Sequence, residues 1–436
     1  MLRWGLAAAI VGVLAVTGVA EQAQAPDPFL DVATRYVKLV LAVGQHDGDY
    51  VDAYYGPAAL KKEAESTKLS LDEIAARAAA LEADASKTAL PAWKDDAELW
   101  RLRKQYLQRQ LSALEARVAM LQGKRFTFDQ ESQALYDAVA PTHDEGEFSA
   151  TIKQLESRLP GSGPLIARYE KFKEAFVVPR ERLDAVFQAA IRGCRDRALQ
   201  HIALPPNESF TVEYVTGKSW SGYNWYQGNF RSLIQVNTDL PIYIDRAIDL
   251  ACHEGYPGHH VYNALLEKHL VRDRGWIEFT VYPLFSPQSL IAEGTANYGI
   301  EVAFTREERT TFERDVLFPL ATLSADRVQE YYDVMGLVDR LSYAGNEAAR
   351  RYLDGKISAT AAADWLERYA MMPRARAEQR VKFFDQYRSY VINYNLGKDL
   401  VREFIERRVG HDGSAAEKWR EFAALLSSPR LPSGLK

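Results

Sequence analysis

The spacing of apolar side chains predicts helices from about Phe29 to Ile202. Over Asp31 to Val43 apolar residues recur every three or four positions, which is the period of one helix face. A leucine-rich stripe over Asp95 to Gln122 predicts a longer helix of about seven turns. Ser70 and Glu73 predict a capping box, because each can bind an unpaired backbone amide of the other. Further helix starts are expected at Thr127 or Asp129, at Glu147 and at Pro179.

After residues 205–206, both proline, the pattern changes to short alternating segments rich in β-branched and aromatic residues. They span 209–215, 222–226 and 232–237, with glycine-containing turns between them. These features predict three strands of one small antiparallel sheet. Helical spacing resumes after Pro241, and the remaining helix candidates are 273–281, 286–304, 306–323, 326–342, 347–353, 360–369 and 376–406. The expected fold is therefore mainly α, with one small sheet immediately before a histidine cluster.

The first 25 residues have the features of a secretory signal peptide. Arg3 precedes an apolar run from Leu6 to Val19, and small residues end at Ala20, where cleavage is expected. The run is shorter than the roughly 20 residues that span a bilayer, and no later run is long enough to cross a membrane. The protein is thus expected in the periplasm or secreted, with a helical region over 26–205 and a catalytic region over 206–436. No cysteine lies at the cleavage region, so no lipid anchor is expected there.

Composition narrows the range of partners and excludes some kinds of site. A content of 47% hydrophobic and 26% charged residues is typical of a globular protein. The net charge of −5 and the absence of a basic block argue against a nucleic-acid partner. The two cysteines, Cys194 and Cys252, are too few for a disulfide framework or a thiolate zinc cluster. Free buried thiols are expected, and the sequence leaves their pairing open.

Three of the eight histidines lie between His253 and His260. A helical zinc site usually has two histidines four positions apart, since these share a helix face about 6 Å apart along the axis. Here that position is Pro257, and on an unbroken helix His259 and His260 would lie roughly 9 and 10.5 Å from His253, too far to share one ion. Pro257 and Gly258 are therefore expected to break the helix and return His259 as the second ligand, although the two histidines could exchange roles.

The remaining parts of a zinc hydrolase also have candidates. Glu293 is the expected third ligand, and Glu254, next to the first ligand, is the expected general base. Asn297 lies one helical turn after Glu293 and could orient a ligand imidazole, with a similar role open to Glu301. His260 is then expected to face the substrate or a supporting carboxylate.

The segment 253–260, His-Glu-Gly-Tyr-Pro-Gly-His-His, followed by 293–298, Glu-Gly-Thr-Ala-Asn-Tyr, resembles a large bacterial family of unknown function. That family is often secreted and is grouped with gluzincin-type zinc metallopeptidases. The resemblance extends to 54–57 and 389–397, and implies a helical zinc-peptidase fold with a small sheet beside the cleft. Thr295 stands where the family more often has tryptophan, and Glu301 is one position later than expected.

Two aromatic segments are candidates for contacting the substrate. Tyr390 and Tyr394 lie on one predicted helix face beside Arg388, and either Tyr394 or Arg388 could polarise the substrate carbonyl. The alternative for such a stripe is core packing. In gluzincin-like enzymes the strand that holds Tyr223, Asn224 and Tyr226 would pair with an extended peptide, and the alternative is an ordinary aromatic strand.

The sequence therefore predicts an exported zinc hydrolase of peptide or related amide bonds. His253, His259 and Glu293 hold the metal in this interpretation, and Glu254 takes a proton from water. The competing interpretation is a non-catalytic exported protein that uses the same site to hold a peptide or cell-wall fragment. The glutamate beside the first ligand argues for the hydrolase, since a binding site has no need of a base there.

Overall fold

The structure is a computed structural model that describes residues 27–91, 96–218, 220–410 and 413–436. The described chain is mainly helical with small sheets, as the apolar spacing predicts. No helix in these ranges is long and apolar enough to cross a membrane. The predicted signal peptide, 1–25, lies outside the described residues.

The α-helices are α1 (Leu30–Val43), α2 (Ala58–Thr67), α3 (Leu71–Lys87), α4 (Ala97–Leu121), α5 (Phe128–Tyr136), α6 (Glu145–Arg158), α7 (Leu165–Glu174), α8 (Leu183–Leu199), α9 (Asp245–Leu250), α10 (His259–Leu266), α11 (Pro287–Ala303), α12 (Arg306–Phe312), α13 (Phe318–Leu320), α14 (Val328–Asp339), α15 (Ala344–Leu353), α16 (Ala359–Tyr369), α17 (Arg374–Tyr387), α18 (Ile392–Val409) and α19 (Ala415–Leu426). The strands are β1 (Val51–Tyr54), β2 (Ser209–Val215), β3 (Gly222–Gly228), β4 (Arg231–Asn237) and β5 (Val281–Pro283).

Capping residues fix several helix starts. Ser70 and Glu73 form the predicted capping box of α3, and Thr127 forms another with Gln130 at α5. The helix expected at Glu147 begins two residues earlier, because Asp144 accepts backbone hydrogen bonds as its cap. The stripe of α4 is buried along most of its length and faces the core that α1 and α3 share.

The predicted strands 209–215, 222–226 and 232–237 are present, but their sheet is mixed. β4 lies in the centre, antiparallel to β3 and parallel to β2. β4 follows β3 as its antiparallel neighbour and lies between β3 and β2. β2 therefore pairs with the edge of β4 that β3 leaves open. The prediction of an antiparallel sheet was wrong for β2, which is parallel to β4.

A second sheet, which the sequence analysis did not predict, joins distant parts of the chain. β1 pairs antiparallel with β5 and so ties the N-terminal helical region to the residues just before α11. The helix predicted over 273–281 was wrong, since only Ile277–Thr280 form a 3₁₀ turn before β5. Aromatic and β-branched residues in this stretch pair as a strand, although their spacing also fits a helix.

The single helix predicted over 376–406 is also interrupted. Arg388 has φ of +52°, and the chain makes a 3₁₀ turn at Arg388–Val391 between α17 and α18. The Arg388 guanidinium donates to Glu131 of α5 at 2.6 Å, and the same carboxylate accepts from Ser389. This ion pair and hydrogen bonds hold the turn against α5.

Helices α11 and α18 cross at two glycines. A Cβ added at Gly294 would lie 2.5 Å from the carbonyl carbon of Gly397, and one added at Gly397 would lie 2.8 Å from the carbonyl oxygen of Leu290. Only residues without a side chain allow this approach. The crossing brings Glu293 on α11 close to Tyr390, in the turn just before α18.

Cys194 of α8 and Cys252 form a disulfide, so the expectation of free thiols was wrong. The two residues are 58 positions apart, and no sequence pattern marks them as neighbours. The bond ties α8 to the segment that carries the first predicted metal ligand.

Candidate metal centre

The predicted break in the histidine segment is present and has a specific geometry. Helix α9 continues as a π-helical turn over Ala251–Gly255, and α10 begins at His259. Between them the Tyr256–Pro257 peptide bond is cis. A Cβ at Gly258 would lie 1.8 Å from the carbonyl oxygen of His253, so this position requires glycine. The loop folds back and places His259 beside His253, with ring centres 4.6 Å apart.

His253, His259 and Glu293 offer three ligand atoms that all lie within 4.8 Å of one another. Oε2 of Glu293 is 3.2 Å from Nε2 of His253 and 3.8 Å from Nε2 of His259. Tetrahedral zinc ligands are separated by about 3.4 Å, given metal–ligand distances of about 2.0–2.2 Å. The two measured distances therefore need only small changes to fit one ion.

The carboxylate of Glu293 is oriented for a ligand. Its Oε1 accepts a hydrogen bond from the Tyr390 hydroxyl at 2.8 Å. Its Oε2 is buried and has no partner of hydrogen-bonding geometry among the described residues, even though His253 lies 3.2 Å away. Buried carboxylate oxygens are normally paired, so an unpaired oxygen beside two imidazoles fits the role of a metal ligand. The donor set of two nitrogens and one oxygen is one that zinc prefers.

The electrostatics of the three groups are coupled. Burial alone would raise the pKa of Glu293, but His253, His259 and the Tyr390 hydroxyl hold that pKa below its ordinary value. Burial opposes a charge on His253, yet the carboxylates of Glu254 and Glu293 raise its pKa. Burial and the neighbouring His253 lower the pKa of His259 to about 4. His259 is thus neutral at pH 7, which is the form that binds a metal.

Glu254 lies in the wall of the same cavity. Its side chain is buried, and Oε2 has no hydrogen-bond partner within the described ranges. Burial raises the pKa of Glu254 to about 7. Asn224 donates to the Glu254 backbone carbonyl at 2.7 Å, and a Cβ at Gly222 would come within 2.7 Å of its carboxylate. The β3 strand therefore both holds the Glu254 backbone and leaves space for its side chain.

A cavity of about 1640 Å³ contains all four of these side chains. Among the residues predicted to contact substrate, Tyr223, Asn224, Tyr390 and Tyr394 line it. Tyr226 does not line it, and its buried hydroxyl donates to Glu267 at 2.6 Å.

The structure places two predicted catalytic side chains away from this cavity. His260 is fully buried, with Nδ1 2.9 Å from the Ser232 hydroxyl and Nε2 2.9 Å from Glu208. The sequence left open an exchange between His259 and His260, and the geometry groups His259 with the other two ligands. Arg388 is engaged by Glu131, as described above, and is not part of the lining.

The two predicted orienting residues make other contacts. Asn297 donates to the backbone carbonyls of Glu293 and Tyr394, so it links α11 to α18 and not to an imidazole. Glu301 lies at the solvent edge and forms ion pairs with Arg402 and Lys398.

Several side chains that the sequence analysis missed also line the cavity. Asp52 of β1 accepts a hydrogen bond from Tyr223 at 3.1 Å, and burial raises its pKa to about 7. Arg376 and Arg380 of α17 face the same space. Asp52 follows no motif, whereas two arginines four positions apart beside a predicted aromatic stripe share a helix face and could have been noticed.

No family model matches the sequence, and no curated protein is similar to it. Among solved structures, the fold is similar to a protein of Colwellia psychrerythraea described as a lipoprotein, with a TM-score of 0.50 and 16% identity. The match covers 83% of this chain and 65% of that one, so this chain spans about two thirds of its length. A Shewanella oneidensis protein described as a lipoprotein of unknown function matches with a TM-score of 0.47 and 12% identity over 86% and 75% of the two chains. At these identities the similarity concerns the fold alone.

Proposed function

We propose that this protein is an exported zinc-dependent hydrolase of peptide or related amide bonds. The observation that carries the proposal is the group of His253, His259 and Glu293, with Glu254 beside it in one large cavity. A bound zinc ion would supply Lewis acidity there and lower the pKa of a water molecule towards neutrality. The description of the Colwellia protein as a lipoprotein agrees with the export that the N-terminal sequence predicts.

The side chains of the chain itself account for proton transfer. Glu254 accepts a proton from water as the oxygen adds to the carbonyl carbon of the scissile bond. It then passes this proton to the nitrogen of the leaving amine as the C–N bond breaks. Its buried and unpaired Oε2 is free for this exchange. A glutamate on the protein surface would not have this position.

Tyr394 is the better donor for the carbonyl oxygen. It lines the cavity and packs against Tyr390, whose hydroxyl holds Glu293, with ring centres 5.8 Å apart. A donor placed there would stabilise the negative charge that develops on the carbonyl oxygen. Arg388, the other candidate, is not positioned for this role because it pairs with Glu131 outside the cavity.

The test compares a Glu254→Gln variant with the wild type after loading with zinc. We expect zinc near one equivalent per chain in both by mass spectrometry. We expect release of amines from a mixture of di- to hexapeptides by the wild type only, and its loss with a chelator. The matched control is Glu301→Gln, which changes an ion-paired glutamate at the cavity edge and should keep turnover. Full turnover by Glu254→Gln would overturn the assignment of the base.

The same experiment separates the competing function. If both proteins hold zinc and bind peptides but neither releases amines, the site is a non-catalytic binding site. Absence of zinc from a folded wild type after zinc is offered would overturn the metal centre itself. Loss of zinc in Glu293→Ala is the corresponding check on the ligand set.

A further inference from the structure

Two half-buried arginines in the cavity lack acidic partners among the described residues. Arg376 and Arg380 lie four positions apart on α17, and both line the cavity. Neither has a carboxylate within ion-pair distance among the described residues. The Nε of Arg380 is buried and has no hydrogen-bond partner in the described part of the chain. Elsewhere in this protein buried arginines are paired, as Arg103 is with Glu278 and Asp27.

The surroundings of Arg380 are aromatic. Its guanidinium lies 4.5 Å from the ring centre of Phe383 and 5.7 Å from that of Tyr394. These rings hold the cation in place, but they accept none of its directional hydrogen bonds. Burial lowers the pKa of both Arg380 and Arg376.

The carboxylates whose charges act on this pair, Asp245 and Glu293, have other partners. Glu293 accepts a hydrogen bond from Tyr390 at 2.8 Å and lies 3.2 Å from His253. Asp245 accepts a hydrogen bond from the Tyr331 hydroxyl at 2.7 Å. Asp249 pairs with Arg309 at 2.8 Å and with Arg246 at 3.2 Å. The two cations on α17 therefore remain available to a ligand that brings its own negative charge.

The position of Arg380 relative to the metal centre limits the size of that ligand. Arg380 is in contact with Tyr394, which is in contact with Tyr390, and Tyr390 donates to Glu293. The two ring distances of 5.7 and 5.8 Å place Arg380 within about three extended residues of Tyr390, at about 3.5 Å per residue. A short peptide could reach from one to the other.

We propose that Arg380, together with Arg376, binds the C-terminal carboxylate of a short peptide whose scissile bond lies at the metal centre. Every short peptide with a free C-terminus carries this group, and a guanidinium can hold a carboxylate through two parallel hydrogen bonds. The inference rests on the proposed hydrolase for the position of the scissile bond. It makes the protein specific for peptides of a few residues with an unblocked end.

Calorimetric titration of the zinc-loaded Glu254→Gln protein tests this inference without requiring turnover. The ligands are trialanine, trialanine amide, and Ala-Asp-Ala amide, which has a carboxylate only on its side chain. We expect trialanine to bind about 10-fold or more tightly than either amide, since hydrogen bonds between charged groups contribute that much. Equal binding of trialanine and its amide would overturn the proposal. Binding of Ala-Asp-Ala amide as tightly as trialanine would overturn the assignment to the C-terminus.

Substitutions of Arg380 test whether this residue binds the carboxylate. Arg380→Met should abolish the preference for trialanine, whereas Arg380→Lys should recover part of it because the positive charge is restored. The matched control is Arg306→Gln at the edge of the same cavity, where the arginine is exposed and faces Asp333. It should keep the full preference. Unchanged preference in a folded Arg380→Met protein would overturn the proposal.

The two proposals fail in different ways. If the preference for a free carboxylate is present and depends on Arg380, but the wild type releases no amines, the inference stands and the hydrolase proposal fails. If amines are released equally from trialanine and its amide, the hydrolase proposal stands and the inference fails.

Discussion

The contact between α11 and α18 allows a prediction with a calculable size. In Gly294→Ala the new Cβ would lie 2.5 Å from both the carbonyl carbon and the carbonyl oxygen of Gly397, and 2.9 Å from its Cα. Ordinary carbon contacts are about 3.5–4.0 Å. All three neighbours are backbone atoms, so no rotamer change relieves the clash, and the helices must separate locally by roughly 1 Å.

The change in the free energy of unfolding of Gly294→Ala follows from two opposing effects. Overpacking of a closed core costs about 1–3 kcal/mol, and a clash with backbone belongs at the upper end. Replacing glycine by alanine in a helix returns about 1 kcal/mol. We therefore expect Gly294→Ala to lower the free energy of unfolding by about 2 kcal/mol. Urea denaturation followed by circular dichroism measures it.

The same shift should weaken the metal centre. Glu293 lies on α11, and its hydrogen-bond donor Tyr390 lies in the turn that leads directly into α18, so a separation of the two helices should lengthen this hydrogen bond. Changes to groups that orient a metal ligand typically cost about 10–100-fold in affinity, so we expect the zinc Kd to rise by at least about 10-fold. The control is Gly336→Ala on α14, where the new Cβ meets only the Arg306 guanidinium at 3.6 Å. It should be neutral or stabilising by up to about 1 kcal/mol and leave zinc affinity unchanged. Equal stability and zinc affinity in the Gly294 variant and wild type would refute this reasoning.

Three further predictions concern the surroundings of the site. Reduction of the Cys194–Cys252 disulfide, which closes a loop of 58 positions, should lower the free energy of unfolding by about 4 kcal/mol. Denaturation with and without reductant measures this change. A Cys194→Ser/Cys252→Ser protein should not respond to reductant. Burial opposes the charge on Glu208, but His260, Tyr256 and Arg195 lower its pKa to about 2, below the ordinary 4.5. The stability that Glu208 contributes should therefore be complete above pH 4.5 and be lost as the pH falls towards 2. In Glu208→Gln the acid limb of a curve of stability against pH should flatten. An unchanged acid limb would exclude Glu208 as the source of this loss of stability. His260→Asn should lower the melting temperature while zinc content stays near that of the wild type, and loss of zinc from a folded variant would place His260 among the ligands.

The sequence predicted local structure well where one local signal dominates. The capping box at Ser70 and the strand alternation at 209–215 depend on neighbouring residues, and both are present. The break at Pro257 and Gly258 was also predictable, because chain geometry does not let His253 and His259 share an ion on an unbroken helix. Glu293 joins the two histidines because α11 packs against α10 and the turn at Ala251–Gly255.

Features that depend on distant residues were not predictable. The parallel pairing of β2 and β4 depends on chain topology, and the strand β5 forms only because β1 pairs with it. Arg388 interrupts a good helical pattern because Glu131, 257 positions earlier, binds it and the following turn. His260 was expected to face the substrate or a supporting carboxylate, yet it is buried against Ser232 and Glu208, since successive residues on a helix point about 100° apart. Asp52 and Arg380 join the cavity from opposite ends of the chain, which no local pattern records.

The disulfide can form only once the chain has reached an oxidising compartment. Cys252 is the residue directly before His253, so the bond that it forms with α8 secures the backbone of the first proposed metal ligand. The cytoplasm keeps thiols reduced, whereas the periplasm and the extracellular space allow disulfides to persist. A chain that is still inside the cell therefore has this segment held by packing alone. Under the proposed function and export, maturation of the proposed metal centre is linked to compartment, and protein purified from a reducing cytoplasm would represent an earlier stage than protein purified after export.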